Sequence, residues 1–217
     1  MFEQIKKIKK ISKIKRNGGM TYVELIVVLS IFAVMSSIVL FNYGKFQEKV
    51  DIKNLANDVA LQIVQAQKSA LSGKVDPSSI ILVDWIPSYG VYFDTSSADN
   101  KKSFIDFVDL DGSKDYFDTL FCPAPRSSDN PECMDKIAIS SGNFISSLDI
   151  FYQDDIEKAN SISNLSIAFV RPDSSAIIKS EKIDLGRIVS YAQITITSTG
   201  GINSYIKIYP SGRVQIN

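Results

Sequence analysis

A single carboxylate, that of Glu24, stands near the start of an otherwise apolar stretch from Tyr22 to Tyr43. A negative charge costs free energy in hydrocarbon. On insertion scales, placing one Asp, Lys or Arg at the bilayer centre costs about 2.5–3.5 kcal/mol of free energy, and the cost is smaller toward the interface. An unpaired Glu24 would therefore be tolerated in a membrane rather than helpful there, and we expect it to need a positively charged partner.

The segment "DLDGSKDYFD" carries a second set of oxygen-bearing side chains, which could supply ligands to Ca²⁺. These side chains are Asp109, Asp111, Ser113, Asp115 and Asp118. The spacing does not match an EF-hand, because Gly112 is fourth from Asp109 rather than sixth and the closing Glu is missing. We favour a hairpin turn at Asp111-Gly112, between "SFIDFVDL" and "DYFDTLF", over a metal site at Asp109, Asp111 and Asp115.

The two cysteines, Cys122 and Cys133, bracket the Pro- and Ser-rich segment "PAPRSSDNPE". A disulfide in an extracytoplasmic domain would restrict this loop in the unfolded chain, by about 2–4 kcal/mol for typical bridges. We predict the bridge, with two free thiols as the alternative. Two Cys without His are too few ligands for a zinc site.

The chain contains no His. This excludes Ser-His-Asp and Cys-His catalysis and His-ligated metals, because each needs an imidazole. Acid pairs such as Asp154 with Asp155, or Asp106 with Asp109, could serve a glycosidase, but sequence does not select one pair among many acids. We interpret these acids as solvated and predict a protein that is not an enzyme.

The basic residues are concentrated before the apolar stretch. Residues 1–19 carry seven Lys or Arg and one acid, and the other residues carry 17 Lys or Arg and 23 Asp or Glu. A short basic run directly before an apolar span is typical of a cytoplasmic flank. Crossing about 30 Å of hydrocarbon takes about 20 residues, which this stretch provides. We predict one transmembrane helix with its N-terminus in the cytoplasm.

A secretory signal peptide also has a basic segment before an apolar core. The 17 uncharged residues from Leu25 to Phe41 exceed the core of such peptides, which is about 7–15 residues long. No A-x-A site occurs in "LFNYGKFQEK", which follows the core. We therefore expect no cleavage after the span.

Helical spacing continues beyond the span. Apolar residues recur mostly every three to five positions, at Phe46, Val50, Leu55, Val59, Ile63, Ala66 and Ala70. No Pro interrupts this pattern, and Gly73 offers a stop. We predict one helix from the span to about Leu71, whose first half packs against lipid or other copies of the chain.

Short β-rich segments separated by turn residues follow Gly73. They are "SIILVDW", "GVYFD", "SFIDFVDL", "KIAIS", "NFISSLDIFY", "LSIAFV", "YAQITITST", "SYIKIY" and "RVQI". We predict an α+β fold in which the amphipathic half of the helix covers an antiparallel sheet. The predicted regions are a leader (1–19), the span (20–43), the amphipathic helix (44–72) and an extracytoplasmic sheet domain (73–217).

The hexapeptide Gly19-Met20-Thr21-Tyr22-Val23-Glu24, followed by an apolar span, resembles the processing signal of type IV pilins and type II secretion pseudopilins. In that family a prepilin peptidase cuts a basic leader after Gly, the new N-terminal amine is methylated, and Glu stands fifth in the mature chain. The resemblance implies cleavage between Gly19 and Met20 and N-methylation of Met20. It also implies an assembly role for Glu24, which would meet the Met20 amine of a neighbouring subunit.

Two segments of the body, "YGVYFD" and "IKIYPSGRVQI", resemble minor pseudopilin H and related minor pilins, which end in a Gly-containing hairpin. The DNA-uptake branch of that group carries Gly-Arg-x-Arg at this end. Gly212 and Arg213 match that pattern, but Gln215 replaces the second Arg. Because phosphate binding depends on clustered Lys and Arg, this replacement and the acidic body disfavour a nucleic-acid partner.

The resemblance thus predicts a pilin-like structural subunit without cofactors. It would be a single-pass protein of the bacterial inner membrane with an extracytoplasmic body, and later part of a pilus or pseudopilus. Its partners would be the prepilin peptidase, other pilin or pseudopilin subunits, the inner-membrane assembly platform and, before assembly, membrane lipid. The alternatives are a minor pilin for adhesion or DNA uptake, and a signal-anchored binding or sensor domain that never assembles.

Overall fold

The computed structural model describes residues 19–74, 86, 88–116, 122 and 132–217. The chain divides into two compact units, Met1–Gly44 and Lys45–Asn217. The predicted strand "SIILVDW" lies outside the described residues, as does most of the predicted leader.

A single long helix, α1, runs over Tyr22–Leu71 and confirms the predicted helix and its end. Its C-terminus has the hydrogen bonds of a Schellman motif: the Gly73 amide donates to the Ala70 carbonyl (3.1 Å) and the Lys74 amide donates to the Ser69 carbonyl (3.2 Å). Gly73 lies in the left-handed region at φ 62°. Glycine enters that region without a Cβ penalty, so Gly73 ends the helix at little cost.

In the first unit, α1 exposes its large apolar side chains. These are Tyr22, Val23, Leu25, Ile26, Val27, Val28, Leu29, Ile31, Phe32, Val34, Met35, Ile38, Val39, Leu40, Phe41 and Tyr43. Among the described parts of the chain, α1 is the one helix long and apolar enough to cross a membrane.

The second unit contains two five-stranded sheets in which all pairs are antiparallel. The first sheet has the order β3-β2-β1-β6-β7 and the second the order β10-β9-β8-β4-β5. The strands are β1 (Ser88–Asp94), β2 (Ser103–Asp109), β3 (Cys133–Ala138), β4 (Phe144–Tyr152), β5 (Asp155–Ile162), β6 (Asn164–Val170), β7 (Ala176–Lys179), β8 (Val189–Thr197), β9 (Asn203–Ile208) and β10 (Val214–Ile216).

The sequence predicted one sheet, and it missed two strands. Strand β5 is mostly exposed at the edge of the second sheet, so its sequence "DIEKANSI" lacks a buried alternating face. Strand β7 has only four residues and is an edge strand of the first sheet. Alternation of apolar residues indicates which face of a strand is buried but not which strands pair, so it did not separate two sheets from one.

One core cluster joins the second half of α1 to both sheets. The helix contributes Ile52, Ala56, Val59 and Ile63 to it, spaced by three and four residues along one face. The predicted face was partly wrong at its start, where Phe46 is exposed and Ile52 and Ala56 are the buried residues.

A smaller cluster covers the opposite face of the first sheet. It contains Tyr92, Ile105, Phe107, Tyr116, Cys133 and Ala168, with Cys122 packed against it. The Phe107 ring closely covers Gly90 of β1, where a Cβ atom would lie 2.5 Å from the ring and from the Ile167 carbonyl oxygen. The first sheet is therefore buried on both faces.

Candidate functional site

The residues of the predicted processing signal lie at the start of α1. Gly19 and Met20 are exposed and precede the helix. A Cβ atom added at Gly19 would meet no atom within 4 Å. Glu24 is the third residue of the helix, one turn from Met20. The structure thus places the predicted cleavage residues in accessible backbone and the carboxylate just after them.

Thr21 is the N-cap residue of α1, a role that the sequence interpretation missed. Its Oγ1 accepts a hydrogen bond from the Glu24 amide at 3.3 Å, and its carbonyl accepts the first helical hydrogen bond, from Leu25, at 3.0 Å. The Thr-x-x-Glu spacing of a capping box would have indicated it. The N-cap residue thus directly follows the two predicted cleavage residues.

The Glu24 carboxylate is exposed and forms no ion pair with any residue that the structure describes. The first turn of a helix carries a partial positive charge from its free amide groups, so a carboxylate is favourable there. This position gives Glu24 partial compensation within the chain and leaves its oxygens open to a further cationic partner.

The apolar surface that follows Glu24 lacks any cover in the first unit. Every described large apolar side chain from Tyr22 to Tyr43 is exposed, with Phe41 at 82%. Monomeric soluble proteins rarely expose contiguous apolar patches of more than a few hundred Å². A surface of this kind is suited to lipid or to packing against other apolar helices.

The disulfide between Cys122 and Cys133 is present, as predicted, with Cα atoms 5.6 Å apart. Cys133 begins β3 and is buried, and Cys122 packs against the same cluster. The bridge therefore attaches the segment that contains Cys122 to the outer face of the first sheet.

The predicted acidic set is only partly brought together. Asp109, Asp111 and Glu132 have carboxylate oxygens within 4.8 Å of one another, and we call these three residues the acidic cluster. Asp115, which we had grouped with Asp109 and Asp111, lies outside it, and its Oδ1 accepts a hydrogen bond from the Tyr116 amide at 2.8 Å. Asp118 lies outside the described residues.

Backbone amides stabilise the acidic cluster. Asp109 accepts hydrogen bonds from the amides of Gly112 (2.8 Å) and Lys114 (3.1 Å), and Glu132 accepts one from the Leu110 amide (3.0 Å). Burial raises the pKa of both Asp109 and Glu132, and these hydrogen bonds oppose the shift. Burial also raises the pKa of Asp111, but the hydrogen bonds from Ser113, Asp109 and the backbone together outweigh burial, so the pKa of Asp111 is lowered. Backbone amides of the loop after β2 thus hold the carboxylates of the acidic cluster in place.

The predicted hairpin between "SFIDFVDL" and "DYFDTLF" is wrong. Strand β2 pairs with β1 on one side and with β3 on the other, so both of its edges are occupied. Residues 110–116 form a loop in which Gly112 has φ 80°. The turn therefore leads away from β2, and the strand that returns to it is β3.

Two further acid pairs were considered for a glycosidase, Asp154 with Asp155 and Asp106 with Asp109. Asp154 pairs instead with Arg187, whose guanidinium Nη2 lies 2.8 Å from Oδ1, and this contact lowers the pKa of Asp154. Asp106 and Asp109 are three residues apart on β2 and so point to opposite faces of the sheet. Asp106 and Asp109 therefore do not face one substrate bond together.

The C-terminal hairpin of β9 and β10 turns at Gly212, which has φ 82°. Gln67 of α1 donates to the Gly212 carbonyl (3.3 Å) and to the Ser174 carbonyl (2.7 Å). The Arg213 guanidinium lies 4.0 Å from the centre of the Tyr209 ring. The arginine that matches the DNA-uptake pattern is thus engaged in a cation–π contact within its own hairpin.

Comparison of this chain with protein-family models, with curated proteins and with solved structures finds no match.

Proposed function

We propose that this chain is a pilin-like filament subunit, cleaved after Gly19 and assembled through the first half of α1. One observation carries the proposal. A single helix begins directly after the Gly19-Met20 junction, bears one carboxylate in its first turn and then carries only apolar or small uncharged side chains as far as Phe41, of which every large apolar one is exposed.

The start of α1 supports cleavage after Gly19. A peptidase needs access to the peptide bond that it cuts, and both Gly19 and Met20 are exposed outside the helix. Seven Lys or Arg before this point favour a cytoplasmic location for the junction, where a prepilin peptidase acts. Cleavage would leave Met20 as the new N-terminus, the site of methylation in the family that the sequence resembles.

The electrostatics at Met20 support an intermolecular role for Glu24. A new α-amine has an ordinary pKa of about 7.7–8.0 and so carries positive charge near neutral pH. It would stand at the positive end of the α1 dipole, which disfavours a cation. A Glu24 carboxylate from a neighbouring subunit would neutralise it, and both charges could then enter an apolar filament core.

The second unit supports an extracytoplasmic body. Disulfides persist in oxidising compartments, and the bridge between Cys122 and Cys133 joins Cys122 to the first strand residue of β3. In the proposed filament, Met20 to about Phe41 is first a membrane anchor and then the core, while the sheets face outward.

Intact-mass measurement of the chain extracted from a host with a prepilin peptidase tests the proposal. We expect a mature chain that begins at Met20, with a methyl group on its amine. Gly19→Trp should remain uncut; a Cβ atom at this position would meet no atom within 4 Å and Gly19 precedes the helix, so this change tests recognition rather than folding. Gly44→Ala, also made where nothing lies within 4 Å, should still be processed.

The same experiment distinguishes the proposed filament subunit from a signal-anchored domain that never assembles. Such a protein would keep residues 1–19 in the presence of the peptidase. Retention of the leader in the unsubstituted chain, or a cut product from Gly19→Trp, would contradict the proposal.

A further inference from the structure

A small cavity lies between the last turns of α1 and the first sheet, within the second unit. It has a volume of about 120 Å³. Gln65 and Ser69 line it from the helix, Lys74 from just beyond the helix, and Tyr89, Asp106 and Met134 from the sheet. One acid, Asp106, thus lines this cavity from the sheet.

Asp106 occupies the middle of β2, on its core-facing side. Phe104 and Val108, two positions away in each direction, both belong to the core cluster with α1. Asp106 is paired with Val91 of β1, which is fully buried, and with Asp135 of β3. Its Oδ1 is buried and has no hydrogen-bond partner within the described ranges.

A buried carboxylate oxygen without a partner is costly when it is charged and much less so when the group is protonated. Asp135 places a second carboxylate opposite Asp106 from β3. Among the described residues that line the cavity, Lys74 and Tyr89 are the other titratable groups, and α1 contributes the uncharged Gln65, Ala66 and Ser69. Burial, and then the charge of Asp135, raise the pKa of Asp106 to about 7.

We infer that the packing of the last turns of α1 on the first sheet depends on protonation of Asp106, and that it loosens when the Asp106 carboxyl loses its proton. The protonated acid is uncharged, and it is therefore compatible with the buried Val91 beside it and with the uncharged helix residues that line the cavity. The ionised form places a charge in the cavity beside Asp135, and opening of the helix end lets water reach it. This property is independent of the proposed filament role.

The pH range in which the packing weakens follows from the raised pKa of Asp106. An unfolded Asp titrates near its ordinary value of 3.8, and Asp106 in the folded chain titrates near 7. Between these values the folded form holds a proton that the opened form releases, so opening becomes easier as pH rises. The stabilisation is complete below about pH 4 and is lost by about pH 7. The raised pKa values of Asp109, Asp115 and Glu132 act in the same direction, so variants must isolate Asp106.

Hydrogen exchange of the full chain in detergent micelles, between pH 4.5 and 8, tests the inference. The amides of residues 65–71 are compared with those of residues 52–63, after correction for the intrinsic pH dependence of exchange. One proton released on opening predicts that the opening constant of residues 65–71 rises by up to about tenfold per pH unit below pH 7 and then levels off.

Three substitutions complete the test. Asp106→Asn should flatten the pH dependence of residues 65–71. Asp135→Asn, at an exposed position, should fold normally and shift the inflection to lower pH. Asp58→Asn, exposed on the same helix, should leave the dependence unchanged. If the opening constant of residues 65–71 kept its dependence on pH in Asp106→Asn, the inference would be overturned. It would also be overturned if the pH of the inflection did not change in Asp135→Asn. The Asp135→Asn result decides the inference even if Asp106→Asn does not fold.

Discussion

The two halves of α1 differ in what surrounds them, although they belong to one helix. Ile63, in the second half, is fully buried, whereas Ile31, in the first half, is 52% exposed. The second half has apolar residues on one face and packs that face into a core shared with both sheets. In the first half, the large apolar side chains lie on all sides of the helix, and all of those that the structure describes are exposed.

This difference indicates where each half obtains its stability. Helix propensity alone makes a small contribution, and most helices in proteins are stabilised by packing of an apolar face. The second half has its packing partners within the chain. The first half must find them elsewhere, in lipid or in other helices, and its one carboxylate stands at the end where such a partner could supply a cation. A helix whose surroundings change between lipid and protein is what the proposed assembly requires.

The largest effect that we expect is a loss of filament assembly, and only a substitution in the first half of α1 should cause it. Glu24→Gln removes the charge proposed to meet a neighbouring Met20 amine, while Glu48→Gln makes the same change in the second half of α1. Leaving a buried charge unpaired costs about 3–5 kcal/mol, so we expect incorporation of Glu24→Gln into filaments to fall about a hundredfold or more. Glu48→Gln should assemble normally.

Quantification of each variant in sheared filaments, relative to its amount in the membrane, measures this effect. Both variants should insert into the membrane and be cleaved like the unsubstituted chain, because neither change touches the Gly19 junction. Normal incorporation of Glu24→Gln would contradict the assembly role of this residue.

The next largest effect is a loss of stability of the second unit, and a substitution in the second half of α1 should cause it. Ile63→Ala removes buried methylene and methyl groups from the shared core and should lower the free energy of unfolding by about 2–5 kcal/mol. Ile31→Ala, at an exposed position, should change it by about 0.5 kcal/mol or less. Denaturant titration of the full chain in micelles, followed by near-UV circular dichroism, gives both values. If Ile63→Ala and Ile31→Ala lowered the free energy of unfolding equally, the two halves of α1 would not differ in their packing.

Features set by neighbouring residues were predictable, and those set by distant ones were not. The end of α1 depends on Gly73, and the start of the apolar stretch is visible in the sequence alone. The second sheet depends on β4 pairing with β8, some 45 residues away, which no local pattern encodes. Glu132 joins Asp109 for the same reason, because the Val108 amide donates to the Glu132 carbonyl and brings that residue beside the end of β2.

The smallest expected effect concerns the N-cap and tests how local the start of α1 is. Thr21→Ala removes the oxygen that accepts the Glu24 amide and should destabilise the first turn by about 1 kcal/mol, whereas Thr21→Ser keeps that oxygen. Hydrogen exchange in micelles should show about fivefold faster exchange of the Glu24 amide in the alanine variant alone.

A capping effect is confined to the first turn of a helix, so the buried amides near Val59 and Ile63 should keep their protection in both Thr21 variants. A loss of protection that extended to them would mean that the two halves of α1 unfold as one cooperative unit. Their stabilities would then not be set separately by lipid or neighbouring helices on one side and by the two sheets on the other.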